Sequence, residues 1–336
     1  MTQEVGMVLS ADYFPMEKML ELAPMIDNLG YSQISVPEIW GHDAFSLASV
    51  LAYRTKNPRI ASGIVNMFSR TPATMAMTAA SIDELSHQRF VLGLGVSGPK
   101  VINDWHGMAF EKPLTRTREY VSVLRSIFNR DRLDQDTTQL GHIKDFRISI
   151  KDIRSDLPIH IAALGPKNME LAAEIADGWI PVIMPLDQFS QEVDQMHEHL
   201  KGYDKKPDDF AITPFIPALV GTDEESQKTL RGHMAYYFGG MGDFYNNMLQ
   251  RFGFEQEAAE IKNRWSKGDI AGARNAITEE LLDAIAIHGN ADSAQEKLKA
   301  FYDAGATCPL IMVPFNATLQ QAMLTYQTLA PSLETM

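Results

Sequence analysis

Gly93, Gly95 and Gly98 spell G-x-G-x-x-G directly after the apolar run RFVLGLG, a spacing that lets a backbone approach a pyrophosphate. A dinucleotide turn must also open a helix whose N-terminal amides meet the phosphates. Here Pro99 and the stretch KVINDWHGMAFEKP follow Gly98 before helical periodicity resumes near Pro113, so a nicotinamide dinucleotide domain is set aside. A second feature is Gly165-Pro166-Lys167-Asn168. It is either a proline-started helix whose free amides and lysine hold an anion, or a plain helix start with a solvated lysine. Arg70 in SRTP could touch a phosphate or a carboxylate, or fix its own loop through an ion pair. His106, in Trp105-His106-Gly107, either points into a pocket or ties its loop to itself. His197 and His199 are two apart on a helix and diverge, and no H-E-x-x-H occurs, so no metal site is expected. Cys308 is the single cysteine, which rules out an intrachain disulfide.

The glycine run, Arg70, His106 and Gly165 to Asn168 lie at or just beyond the ends of β-rich runs, each followed by helical periodicity, as in parallel strands joined by crossover helices. Eight strands are predicted, near 4–10, 31–36, 58–66, 89–95, 158–163, 177–183, 211–220 and 309–314. That order gives an α/β fold, a single (β/α)8 TIM barrel over residues 1–336. The run PMEKMLELAPMIDNLG has Met19, Leu22, Ala23, Ile26 and Leu29 at helical spacing and stops on Gly30. Thr71 and Pro72 supply an N-cap and a first-turn proline for the next helix but one. Residues 130–157, charged and irregular, and 230–280, aromatic and glycine-punctuated, exceed a minimal barrel and read as insertions after strands four and seven. The second either covers a pocket, forms a subunit contact, or folds as a helical excursion with its own small core.

Active sites of such barrels gather at the C-terminal strand ends. Those ends carry Asp12, Glu38 and Trp40, Asn66, Ser97 and Gly98, and Ala162, Ala163 and Gly165. Small residues there let a broad planar ring approach the main chain. The formal net charge of -13, with no clustered basic stripe, excludes a nucleic-acid partner. The start MTQEVG lacks a signal peptide's basic and apolar regions, and no apolar run approaches the roughly 18 residues of a membrane span. A cytoplasmic protein acting on a small molecule is expected.

From Glu38 to Arg125 the chain reads EIWGHDAFSLASVLA, then SGIVNMFSRTPATMAMTAASIDELSHQRFVLGLGVSGPKVINDWHG, then KPLTRTREYVSVLR. This resembles the luciferase-like monooxygenase superfamily. More narrowly, it is similar to the branch that uses the deazaflavin coenzyme F420 and includes methylenetetrahydromethanopterin reductase. IHIAALGPKNMELAAEIADGWIP, HGNADSAQEKLKAFYDAGA and CPLIMVP extend the resemblance over nearly the whole chain. The resemblance implies an oxidoreductase that moves hydride between F420 and a small organic substrate. Its alternative is an FMN-dependent monooxygenase using reduced flavin and oxygen. It further implies a non-prolyl cis peptide at Gly63–Ile64 beneath the cofactor ring, with the plain alternative that Gly63 is only a strand bulge. The cofactor's phosphate would rest at Gly165, Pro166, Lys167 and Asn168. Glu38 and His42 are the implied proton-handling residues, although Ile39-Trp40-Gly41-His42 departs from the Asp-His pair of several relatives. Asp12, Trp40 and His106 are left to meet the substrate. Gly98 stands where some relatives carry a glutamate, which disfavours a sugar phosphate. A homodimer through the early helices is implied.

Overall fold

The computed structural model describes residues 3–10 and 15–331. Its first half runs β1 (Gly6–Val8), α1 (Met16–Asn28), β2 (Gln33–Val36), α2 (Ala44–Arg54), β3 (Arg59–Ser62), β4 (Val65–Asn66), α3 (Pro72–Leu85), β5 (Phe90–Gly95) and α4 (Pro113–Phe128). A hairpin of β6 (Asp134–Thr137) and β7 (Gly141–Lys144) follows, then β8 (Ile159–Ala162), α5 (Pro166–Ile175), β9 (Gly178–Ile180) and α6 (Leu186–Gly202). Next come β10 (Ala211–Ile212), β11 (Phe215–Val220), α7 (Glu224–Gly240), α8 (Phe244–Arg251), α9 (Glu255–Ser266), α10 (Ile270–Asn275) and α11 (Glu279–Ile285). The chain closes with β12 (Ile287–Gly289), α12 (Ala291–Asp303), β13 (Leu310–Met312) and α13 (Leu319–Thr328).

The main sheet is parallel in every strand pairing and runs β9-β8-β5-β3-β2-β1-β13-β11. Segment 211–220 meets both ends of that path. β10 pairs with β9, Val182 bridges to Phe215, and β11 pairs with β13, so the sheet curls round on itself. All eight expected strand segments are present, two of them broken: 58–66 into β3 and β4, and 211–220 into β10 and β11. The β6–β7 hairpin and β12, which pairs with β11, were not expected from the sequence. Both are short, and residues 134–137 alternate exposed and half-buried without apolar character. The stretch after Gly98 is also less irregular than expected, because Val101–Trp105 winds into one π-helical turn.

Local chemistry explains the helices. α1 buries Met19, Leu22, Ala23 and Ile26, and Gly30 takes φ +78° just past its end. Asp43 and Thr71 cap α2 and α3 by accepting from Ser46 N and Thr74 N, and Pro72 occupies the first turn of α3. One hydrophobic cluster extends from Val5 to Leu329 and takes in both the strands and the surrounding helices. No helix among the described residues is long and apolar enough to cross a membrane.

The break between β3 and β4 is a one-residue register shift. Ala61 pairs with Val91, yet Val65 pairs with Leu94, so three residues on one strand face two on the other. Ser62 repairs the ladder there: its Oγ donates to Gly93 O and accepts from Gly93 N, both at 2.9 Å. Two of the three glycines of the G-x-G-x-x-G run, Gly93 and Gly95, thus have a structural use. A Cβ on Gly93 would run into the Ser62 carbonyl oxygen, and one on Gly95 would lie 2.8 Å from Ile64 Cδ1. Around Gly98 a Cβ would meet nothing within 4 Å. Gly93→Ala is expected to lower the unfolding free energy by about 2–3 kcal/mol, as overpacking against backbone does, while Gly98→Ala leaves it within about 0.5 kcal/mol. Urea midpoints of the two variants check this contrast.

The opposite, N-terminal end of the strands is closed by polar groups. Arg59 pairs with Glu4, and its Nε donates to Gln33 Oε1 at 3.4 Å. Tyr302 Oη donates to Glu4 O at 2.8 Å. Burial pushes the Cys308 thiol up to about 12, so this cysteine is unreactive. Burial lowers the His160 ring to about 4 and the His233 ring, on α7, to about 3, so both are neutral when folded. The unfolded chain protonates both below about pH 6.5, whereas the folded protein resists until near those lowered values. Their stabilising contribution is complete above that pH and drains away as pH falls toward 4 and 3. The melting temperature is therefore expected to drop from pH 7 to pH 4.5, and His160→Gln to flatten that slope, in thermal melts followed by circular dichroism.

Candidate functional site

The C-terminal strand ends meet around the Gly63–Ile64 bond, which is cis. Strand β2 holds this bulge from the side: Gly63 N donates to Val36 O at 2.7 Å and Glu38 N to Ile64 O at 3.3 Å. Gly63 has no room for a side chain, since a Cβ would collide with Ser35 Oγ and lie 2.6 Å from the Phe215 ring. Ile64, by contrast, is only half-buried and presents a small apolar shelf at the strand ends.

One wall is built by the loop following β5. Asn66, buried, ends β4 opposite Gly95; its Oδ1 accepts from Phe68 N at 3.0 Å and Ser69 N at 2.8 Å. Its Nδ2 lies 3.3 Å from His106 Nε2, so the His106 ring is tied to the shelf's own strand while its backbone N–H bonds within the loop. Ser97 takes φ +59° at the start of this loop, and Gly98 is open beside it. Farther along, Phe110 stacks on Phe68 at 5.3 Å, and Arg116 lies over the Phe68 ring at 4.6 Å. Arg116 also donates to Met67 O and to Gln139 O, both at 3.2 Å, so the β6–β7 hairpin buttresses the same wall.

A second side is formed after β8. Ala162 is half-buried and Ala163 buried, and Ala163 O accepts from Trp179 Nε1 at 2.9 Å. Gly165 starts α5 with no side-chain cap, and among the described residues its N–H and that of Lys167 find no acceptor. Asn168 Nδ2 donates to Ala162 O at 3.3 Å, leaving its buried Oδ1 without a partner. Lys167 is exposed and lines a groove of about 340 Å³ between α4 and α5 with Thr115, Arg118 and Glu170. Arg251 of α8 donates to Leu164 O at 2.7 Å, which brings a second cation, itself 3.6 Å from Glu192 Oε1, to the start of α5. Arg251 was not predicted: it lies 87 residues from its partner, and nothing in LQRFGF announces the contact.

The loop after β2 carries Trp40, 48% exposed, and the exposed His42. Glu38 beneath them is fully engaged. Its Oε1 accepts from Arg70 Nη1 at 2.6 Å, and its Oε2 from Arg70 Nη2 at 2.8 Å and Ala44 N at 3.0 Å. Of the two readings open for Arg70, the structure has the ion pair. Arg70 Nη2 also reaches Asp43 Oδ2 at 2.5 Å, and the guanidinium lies 5.0 Å from the Phe45 ring centre. The hydrogen bond to Glu38 raises the Arg70 guanidinium above its ordinary value. Burial pushes the Asp43 carboxyl up, but hydrogen bonds from Ser46 and the Arg70 charge outweigh it and hold the group low. Asp12 lies outside the described residues.

A half-exposed shelf walled by two loops, with cations at a helix start, suits a flat anionic ligand. The chain belongs to the luciferase-like monooxygenase family, whose sequence profile matches residues 1–308, and it is an oxidoreductase of that family. It is 31% identical over 317 residues to a Mycobacterium tuberculosis protein assigned provisionally as a coenzyme F420-dependent oxidoreductase, covering 88% of this chain and 91% of that one. The fold matches the coenzyme F420-dependent tetrahydromethanopterin reductase of Methanopyrus kandleri with a TM-score of 0.82, 21% identity and 98% coverage of both chains. It also matches the oxygenating constituent of 3,6-diketocamphane monooxygenase from Pseudomonas putida, solved with FMN, with a TM-score of 0.71, 16% identity and coverage of 98% and 97%.

The Glu38–Arg70 pair joins the loops after β2 and β4 with side chains only 11% and 19% exposed. Removing either partner leaves a nearly buried charge, so Arg70→Ala and Glu38→Gln are each expected to cost about 2 kcal/mol of stability. The double variant should cost no more than the worse single one. A double-mutant cycle in urea measures this coupling.

Proposed function

We propose that this chain is an F420-dependent oxidoreductase transferring hydride between the deazaflavin and a small organic substrate, in the manner of methylenetetrahydromethanopterin reductase. The observation that carries the reading is the half-exposed shelf at Gly63–Ile64, set between small strand ends and the cationic start of α5. The 31% identical relative favours the deazaflavin over other flavins. Gly63 and Ile64 support the ring, with Asn66, Ser97, Gly98, Ala162 and Ala163 around its edge. Gly165, Pro166, Lys167 and Asn168 hold the phosphate, with Arg251 as an added cation. When bound, the reduced deazaflavin supplies the hydride.

Glu38 spends its carboxylate on Arg70 and Ala44 and its N–H on Ile64, so its part is to hold the shelf and the loop above it. His42, exposed on that loop, handles the proton, and Trp40 and His106 meet the substrate. The protein works as one barrel domain in the cytoplasm, with 130–157 and 230–280 as insertions. A homodimer through α2 and α3 would cover the exposed Tyr53, Met77 and Leu85.

The test is titration of the purified protein with F420 and with FMN, each oxidised and reduced, followed by fluorescence quenching. Tight F420 binding with weak FMN binding is expected, and Lys167→Ala should weaken F420 binding about 10-fold, the low end for a lost charged hydrogen bond. Preferential binding of FMN would instead support the oxygen-using monooxygenase, for which the fold match to the FMN-bound protein speaks.

A further inference from the structure

Asn66 and His106 meet at the edge of the shelf, and the proton positions between them follow from the hydrogen bonds. Asn66 is 3% exposed, and the end of its amide that accepts from Phe68 N and Ser69 N must be the oxygen. The other end is then the NH2, which can only donate, and it faces His106 Nε2 at 3.3 Å. Nε2 must therefore be a bare acceptor, and the ring carries its single proton on Nδ1. Among the described residues no group accepts from Nδ1. The imidazole is set in place by its own loop: His106 N donates to Val101 O at 3.1 Å and Met108 N to Ile102 O at 3.0 Å. Phe110 N donates to Asn103 Oδ1 at 3.0 Å in the same loop.

We propose that His106 is an uncharged hydrogen-bond donor to the substrate through Nδ1–H, and that Asn66 is the positioning residue that fixes its tautomer. The proposal rests on the reading of these strand ends as a hydride-transfer site. A neutral imidazole that gave up this proton would become an imidazolate, so His106 holds and polarises its acceptor without transferring a proton to it. An anionic acceptor would favour the imidazolium, but a proton on Nε2 would point at the Asn66 NH2. The site therefore selects a neutral acceptor, a carbonyl oxygen or an imine-type nitrogen, adjoining the carbon that exchanges hydride. Trp105 and Met108, 65% and 38% exposed on the same loop, supply apolar surface for the body of such a molecule.

The experiment is 15N spectroscopy of histidine-labelled protein, with the His106 resonances assigned by their loss in His106→Gln. A bare ring nitrogen resonates far downfield of one that bears a proton. The expected result is a protonated Nδ1 and a bare Nε2 in the wild type, with and without saturating oxidised F420. Cyclohex-2-enone, as a neutral carbonyl probe, should move the Nδ1 resonance, and acetate should not. Asn66→Asp keeps the acceptor for Phe68 and Ser69 but turns an oxygen toward Nε2, so it should put on Nε2 the proton that the wild type lacks there. A proton on Nε2 in the wild type, or no response of Nδ1 to the ketone, would overturn the proposal. If Asn66→Asp does not fold, the wild-type tautomer and the two probes decide alone. Failure of F420 to bind, with the tautomer and ketone response intact, would remove the coenzyme from the function and leave the donor standing.

Discussion

Everything at the strand ends depends on how closely two backbones approach each other between β3 and β5. Gly93 lies so near the Ser62 carbonyl that no side chain fits, and Ser62 Oγ takes both of the Gly93 main-chain hydrogen bonds. That contact absorbs the extra residue of the bulge, and the bulge turns Ile64 outward at the end of a strand that is otherwise buried. Buried backbone groups must be paired, and a side-chain hydroxyl standing in for the ladder is the cheapest local repair.

Around that contact the chain divides its labour between packing and polar ties. The hydrophobic cluster fixes the strands and helices to one another, whereas the loops that build the site are held by a few specific bonds. Glu38 and Arg70 hold the loop after β2, Asn66 and His106 the loop after β5, and Arg251 the turn before α5. Polar ties of this kind orient groups more than they stabilise the fold, since desolvating charges cancels much of what pairing them gains.

The fold was legible because periodicity is a local property: strand-like runs, Gly30 past α1, and Thr71 with Pro72 before α3 all declared themselves. The shelf at Gly63–Ile64 was placed by family resemblance, not by its residues, since SGIVN reads equally well as an unbroken strand. The partners of Arg70 were out of reach for a different reason. An arginine 32 residues from Glu38 meets it only once β2 and the broken strand of β3 and β4 have been laid side by side. Arg251 and the β6–β7 hairpin are harder still, because exposed charged sequence carries no periodic signature of what it will touch. The glycine motif misdirects in the opposite sense: its spacing records steric clearance for a neighbouring strand and not a phosphate loop.

The stacking of Phe110 on Phe68, clamped by Arg116, has a consequence for traffic into the site. Phe68 directly follows β4, and Arg116 belongs to α4, so that loop is riveted to the scaffold on two sides. It behaves as a doorpost. A change of shape there would break the ring stack and both Arg116 bonds at once. Variation in what the protein admits would accordingly fall elsewhere on the rim of the site, with the doorpost staying as it is.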